Sequence, residues 1–218
     1  MTEDIFRRRA VLFDLDGTLT DPAEGITRSV QYALEQRGRP VPDRETLLSF
    51  IGPPLLDSFR EFCGMEPAEA EAAVRCYRAY FSRKGIWENR VYPGIPEMLC
   101  FLKEQGRTLI LATSKPAVFA GKILERFELA PYFSLLSGSE LDGARSRKDE
   151  VVAWALEQAG LSPEEAVMVG DREFDVRGAA ACGVPCIGVL YGYGGRKELE
   201  QAGAAALAAS VTELAALW

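Results

Sequence analysis

The 218-residue chain is 48% hydrophobic and 26% charged, with a net charge of −7, the balance of a soluble globular protein large enough for one big domain or two unequal ones. The acidic balance argues against a nucleic-acid binder, whose footprint is a basic face, and no apolar run reaches bilayer length. The chain has no histidine, which excludes Ser-His-Asp and Cys-His catalysis and histidine metal sites, leaving carboxylates as candidate nucleophile, acid and ligands.

The N-terminal stretch Met1-Thr2-Glu3-Asp4, then Arg7-Arg8-Arg9, lacks the pattern of a secretory leader. Cys63, Cys76, Cys100, Cys182 and Cys186 are scattered and odd in number, which predicts reduced thiols in a cytoplasmic protein. Cys182 and Cys186 alone supply too few ligands for structural zinc.

In chain order, Val11-Leu12-Phe13-Asp14-Leu15-Asp16-Gly17-Thr18 reads as a buried strand over residues 10–14 that delivers two carboxylates to its C-terminal end and then turns at Gly17. Residues i and i+2 of a strand share a face, so Asp14 and Asp16 address one pocket and require a cation or a proton between them. Helical periodicity follows: Ile26, Val30, Ala33 and Leu34, a short segment from Asp43, then Leu55 to Phe62, and Pro67 to Phe81. Residues 21–90 are therefore expected to be all helical.

From Val91 strands and helices alternate. The pattern predicts helix 95–105, strand 108–112, helix 116–127, a short strand near 133–136, helix 147–159, strand 166–169, helix 175–182, strand 184–190 and a helical stretch to Trp218. The Ala-rich run Ala202–Ala209 reads as helix or packed turn. Alternation of this kind means a parallel sheet with helices on both faces. The expected architecture is α/β: a Rossmann-like three-layer core of residues 1–20 and 91–218, with a smaller all-α domain of residues 21–90 inserted after the first strand.

Four polar clusters fall at strand ends of this scheme, the edge at which open parallel sheets bind ligands. Asp14 and Asp16 are joined by Asp171 and Asp175, an oxygen-rich set suited to Mg²⁺. Thr113-Ser114-Lys115, ahead of a helix, offers hydroxyls and an amine to phosphate oxygens. Arg147-Lys148 supplies a cation at the start of another helix.

These clusters resemble the motifs of the haloacid dehalogenase (HAD) superfamily. Asp14-Leu15-Asp16-Gly17-Thr18 is similar to its first motif, Thr113-Ser114 to its second, Lys148 to its third and Gly170-Asp171 with Asp175 to its fourth. The helical insertion resembles that family's C1-type cap. Ala112-Thr113-Ser114-Lys115-Pro116, Gly138 to Gly143, Gly170-Asp171-Arg172 and Gly188 to Gly194 resemble its phosphoglycolate phosphatase-like or 5′-nucleotidase-like branch. The third motif departs from relatives in lacking a Lys-Pro pair.

The resemblance implies a Mg²⁺-dependent phosphatase acting on a small phosphorylated metabolite such as phosphoglycolate, a nucleoside monophosphate or a sugar phosphate, with neither nucleic acid nor membrane as partner. Asp14 is the expected nucleophile and Asp16 the acid and base. Asp14, the main-chain carbonyl of Asp16 and Asp171 are expected to hold the metal, supported by Asp175. Thr113 and Lys148 are assigned to the transferring phosphoryl group, with Gly17 and Thr18 amides, Ser114 and Lys115 on the same phosphate. Substrate specificity is expected in Ile51 to Leu55, Arg60 and Tyr191-Gly192-Tyr193. Two other readings share residues with this one: a phosphomutase of the β-phosphoglucomutase type, and a non-enzymatic regulator that accepts phosphate or binds metal. Monomer and homodimer are not distinguished.

Overall fold

A computed structural model describes residues 4–218 of the chain; Met1, Thr2 and Glu3, the start of the acidic N-terminal stretch, lie outside the described residues. The first elements are β1 (Ala10–Phe13), β2 (Thr20–Asp21), α1 (Ala23–Gln36), α2 (Arg44–Leu48), α3 (Leu55–Cys63), α4 (Pro67–Phe81) and β3 (Arg90–Val91). They are followed by α5 (Ile95–Glu104), β4 (Thr108–Pro116), α6 (Ala117–Arg126), β5 (Leu135–Ser139), α7 (Lys148–Ala159) and β6 (Ala166–Gly170). The last are α8 (Glu173–Ala181), β7 (Cys186–Val189), α9 (Arg196–Ala202), β8 (Ala206–Ala208) and α10 (Val211–Ala215). Two compact units result, one comprising the segment up to Thr20 with Val91–Trp218, the other Asp21–Arg90.

In the first unit six parallel strands form one sheet in the order β5-β4-β1-β6-β7-β8. The wholly buried β1 runs between β4 and β6, with Phe13 level with Leu111 and Val169. Residues that follow these three positions therefore emerge together at one edge. Leu12, Ile110 and Met168 pack into one layer with Val151, Val152 and Ala155 of α7, Val176 and Ala179 of α8 and Leu199 of α9. Val11, Phe13, Leu109 and Leu111 are equally buried and face the other layer, because strand side chains alternate; there α5 packs on β4 and on α10. Each fully buried Leu or Ile contributes roughly 1.5–3 kcal/mol relative to exposure, so the summed burial along these strands fixes the position of the sheet edge.

The second unit holds α1 to α4. Ile26, Val30, Ala33 and Leu34 of α1 are buried, and α1 packs on α4, whose Ala70, Ala73, Val74, Tyr77 and Phe81 are buried at helical spacing. Asp43 caps α2 by accepting from the Thr46 amide at 2.8 Å, the stabilising role expected of Asp at that position.

The structure departs from the sequence expectation in several places. The Ala-rich run is interrupted: Gly203, at φ +93°, ends α9, and Ala206–Ala208 adds a sixth strand beside β7. Alanine favours helix over strand, and a run of one small apolar residue carries no period to read, so the strand is imposed by pairing with β7 against local preference. Strand β5 lies later than residues 133–136, and α8 starts at Glu173, because the Asp175 carboxylate accepts from the Arg172 amide at 3.0 Å and closes the first turn earlier. Residues 20–21 and 90–91 pair as a two-stranded ribbon, too short to leave a pattern. Among the described residues no helix is long and apolar enough to cross a membrane.

Candidate active site

Asp14 follows β1 directly, and its amide donates to the Val169 carbonyl of β6 at 3.0 Å, which carries the ladder one residue further and fixes the carboxylate at the sheet edge. Lys148, the first residue of α7, reaches the same edge from the neighbouring layer. Its ammonium donates to Asp14 Oδ1 at 2.7 Å and to the Ala112 carbonyl at 3.0 Å, and pairs with Asp175 Oδ1 at 2.8 Å. Its side chain is 4% exposed. Burial alone would lower the affinity of this amine for its proton, but the Asp14 and Asp175 carboxylates outweigh it and hold the lysine above its ordinary value. Lys148→Met should therefore destabilise the metal-free fold by about 3–5 kcal/mol, the cost of stranding buried partners of a lost charge. Urea denaturation measures it; a loss below about 1 kcal/mol, the range of exposed pairs, would contradict a desolvated Lys148.

Asp171, just past β6, is fully buried. Its Oδ2 accepts from the Tyr193 amide at 2.7 Å and its Oδ1 from the Thr18 hydroxyl at 3.5 Å, both neutral donors. Carboxylate oxygens of Asp14, Asp171 and Asp175 lie within 4.8 Å of one another. Burial pushes the Asp171 carboxyl well above the ordinary carboxylate range, and the Asp175 and Asp14 charges push the same way. Burial raises Asp175 too, against the pull of Lys148. The cluster sets three carboxyl groups against one lysine, and all its ligand atoms are oxygen, which fits a hard divalent cation such as Mg²⁺. The main-chain carbonyl of Asp16 accepts no hydrogen bond from the described residues, so it too is available to an ion.

Asp16 is a second kind of carboxylate. Its Oδ2 accepts from Lys115 Nζ at 2.5 Å, while Oδ1 is buried and meets no hydrogen-bond partner among the described residues. Burial raises its affinity for a proton, with Lys115 opposing. Thr113 is buried at the end of the regular part of β4, its hydroxyl oxygen accepting from the Lys115 amide at 3.2 Å. The Ser114 carbonyl accepts from the Ser139 hydroxyl at 2.8 Å.

Three sequence expectations need correction. The Gly17 and Thr18 amides are not available to a phosphate, since they donate to the carbonyls of Thr20 at 2.7 Å and Leu15 at 3.3 Å as the chain turns. Gly17 serves the site by having no side chain: at φ +88° it abuts Asp171, whose Oδ2 would lie 2.1 Å from an added Cβ. The Lys115 ammonium, expected on the substrate, is engaged with Asp16. The free donors at this turn are instead the amides of Leu15 and Asp16, which meet no acceptor among the described residues. Reasoning from side chains passes over them because Leu15 looks like core; the turn's hydrogen-bond pattern is the only signal. Arg147 pairs with Asp149 at the surface, and Cys182 and Cys186 are free thiols.

Residues 11–189 match the family model described as haloacid dehalogenase-like hydrolase. The chain belongs to that family. It is 50% identical over 199 residues to a Pseudomonas aeruginosa protein named 5′-nucleotidase, covering 91% of this chain and 90% of the relative. A Mycobacterium tuberculosis protein named tyrosine-protein kinase PtkA is 42% identical over 184 residues, 84% of this chain and 62% of that one, so this chain spans less than two thirds of PtkA. Among solved structures, a predicted phosphatase from Clostridium acetobutylicum superimposes with a TM-score of 0.94 at 48% identity, covering 96% of this chain and 97% of the other. The HAD-like α/β fold and the enzyme class read from the sequence both hold: the protein is a HAD-type phosphatase.

Proposed function

We propose that this HAD-type phosphatase hydrolyses a small phosphorylated metabolite by passing the phosphoryl group through Asp14, with Mg²⁺ as cofactor. The observation that carries the reading is the division of labour between two neighbouring buried carboxylates. Asp14 belongs to the metal-suited cluster and has Lys148 on one oxygen, leaving the other to attack phosphorus. Asp16 stands outside that cluster, and its Oδ1, which has no partner among the described residues, is suited to holding a proton for the leaving oxygen.

In this reading Asp14 attacks phosphorus and displaces the alcohol, which takes its proton from Asp16; Asp16 then takes a proton from the water that cleaves the aspartyl-phosphate. Lys115 orients the Asp16 carboxyl. Thr113 binds the transferring oxygens, joined by Ser114 and the free amides of Leu15 and Asp16, while Lys148, its three donors on Asp14, Asp175 and the Ala112 carbonyl, supplies positive charge beside the phosphoryl group. Held by Asp14, the Asp16 carbonyl and Asp171, with Asp175 in support, Mg²⁺ would supply the positive charge that lets an anionic nucleophile approach a phosphate.

Because one relative is named 5′-nucleotidase, nucleoside monophosphates are the first substrates to test, followed by phosphoglycolate and sugar phosphates. A phosphomutase would share Asp14 and Asp16 and would show itself by needing a bisphosphate primer.

Activity should vanish on chelation with EDTA, return with Mg²⁺, and fail to return with Ca²⁺, whose larger and looser coordination shell does not reproduce the Mg²⁺ geometry. A metal-reconstitution assay on a panel of phosphate monoesters measures both points. Full turnover after exhaustive chelation would rule out the metal role of Asp171.

A further inference from the structure

The segment between β7 and α9, Tyr191-Gly192-Tyr193-Gly194-Gly195, is expected from sequence to bear on specificity, yet its contacts run to Asp171. The Tyr193 amide donates to Asp171 Oδ2 at 2.7 Å. Gly192 lies so close that an added Cβ would fall 2.4 Å from Asp171 Cβ, 2.5 Å from its Oδ2 and 2.4 Å from the Gly17 carbonyl oxygen. Gly17 abuts the same carboxylate, so Asp171 is gripped by two residues without side chains and by one amide. The Tyr191 hydroxyl donates to the Thr18 carbonyl at 3.0 Å, its ring edge-on to Tyr92 at 5.1 Å. Thr18 in turn points its hydroxyl at Asp171 Oδ1. Further along, Glu198 Oε1 accepts from Arg172 Nε and from the Glu173 amide, each at 2.9 Å, which ties α9 to the turn that carries Asp171.

We propose that Tyr191, Gly192 and the Tyr193 amide form a clamp that positions the Asp171 carboxylate and the Asp14–Thr18 turn for metal binding. The proposal rests on the reading of Asp171 as a metal ligand. Its physical ground is that Mg²⁺ demands near-ideal octahedral geometry, whereas an aspartate can rotate about two bonds. An oxygen held on one side by a backbone amide and packed by two glycines has that freedom removed. Groups that orient ligands in this way typically account for 10–100-fold in metal affinity. The phenol of Tyr191 acts at one remove: it fixes the Thr18 carbonyl and so the turn that lies against Asp171.

Isothermal titration of the substrate-free protein with MgCl₂, with thermal melts in EDTA alongside, tests the clamp through binding rather than catalysis. Asp171→Asn is the control and should abolish measurable Mg²⁺ binding. Gly192→Ala should weaken binding by at least about 10-fold by displacing the carboxylate. Tyr191→Phe, which deletes one oxygen and adds no atom, should weaken it by about 10-fold, the lower end of the same range, and should raise the Mg²⁺ concentration needed for half-maximal activity more than it lowers kcat at saturating Mg²⁺. If Gly192→Ala does not fold, Tyr191→Phe decides alone. Wild-type affinity in folded Tyr191→Phe, with Asp171→Asn deficient, would overturn the clamp and leave the metal assignment standing. Wild-type affinity in Asp171→Asn would overturn both.

Discussion

Asp14→Asn is expected to abolish turnover, with a loss on the order of the 10⁶-fold that deletion of an enzymatic nucleophile can cost, while the protein remains folded. The amide has the volume of the carboxylate and can still accept the Lys148 hydrogen bond through its oxygen, but it cannot attack phosphorus. Steady-state kinetics with a thermal melt on the same preparation measures the two together. A folded variant with substantial turnover would remove Asp14 from the chemistry.

Asp16→Asn should behave differently, and the difference depends on the substrate. The contact of position 16 to a metal would run through the main chain, so the variant should keep its affinity for Mg²⁺. The substituted amide oxygen can still accept from Lys115, but no proton can be held or taken. With an alkyl phosphate, whose departing alkoxide is strongly basic, the first step should slow by about 10²–10⁴-fold, the range for loss of a general acid. With p-nitrophenyl phosphate the departing phenolate needs little protonation, so transfer to Asp14 should survive better while hydrolysis of the aspartyl-phosphate, lacking its base, becomes limiting. Rapid-quench kinetics should then show a burst of nitrophenol stoichiometric with enzyme, followed by slow turnover. Equal losses on both substrates without a burst would make Asp16 a structural residue.

The sheet edge was legible in the sequence because buried parallel strands announce themselves as unbroken apolar runs, and a carboxylate at the end of such a run has one place to be. That logic locates Asp14, Asp16, Thr113 and Asp171. It also brings Lys148 to the edge, as the first residue of a helix that follows a strand of the same sheet. What the pattern does not encode is which of these groups bond to one another. Lys115 and Asp16 are 99 positions apart, and a lysine beside a Thr-Ser pair reads as naturally as a phosphate ligand. The use of Gly17 as space for Asp171 is a packing fact that a turn residue conceals. The free amides of Leu15 and Asp16 show only in the hydrogen-bond pattern of the turn, where the amides of the next four residues all find acceptors. The strand in the Ala-rich run escaped for a simpler reason, since a pattern made of one small apolar residue has no polar face to reveal its period.

The covalent step can be observed directly. Acid quenching of the wild-type enzyme during steady turnover, followed by peptide mapping with mass spectrometry, should find a phosphoryl group on Asp14 and on no other residue, with its occupancy increased in Asp16→Asn turning over p-nitrophenyl phosphate. Unmodified Asp14 in both proteins while phosphate is being released, or a phosphoryl group on a different side chain, would contradict the mechanism.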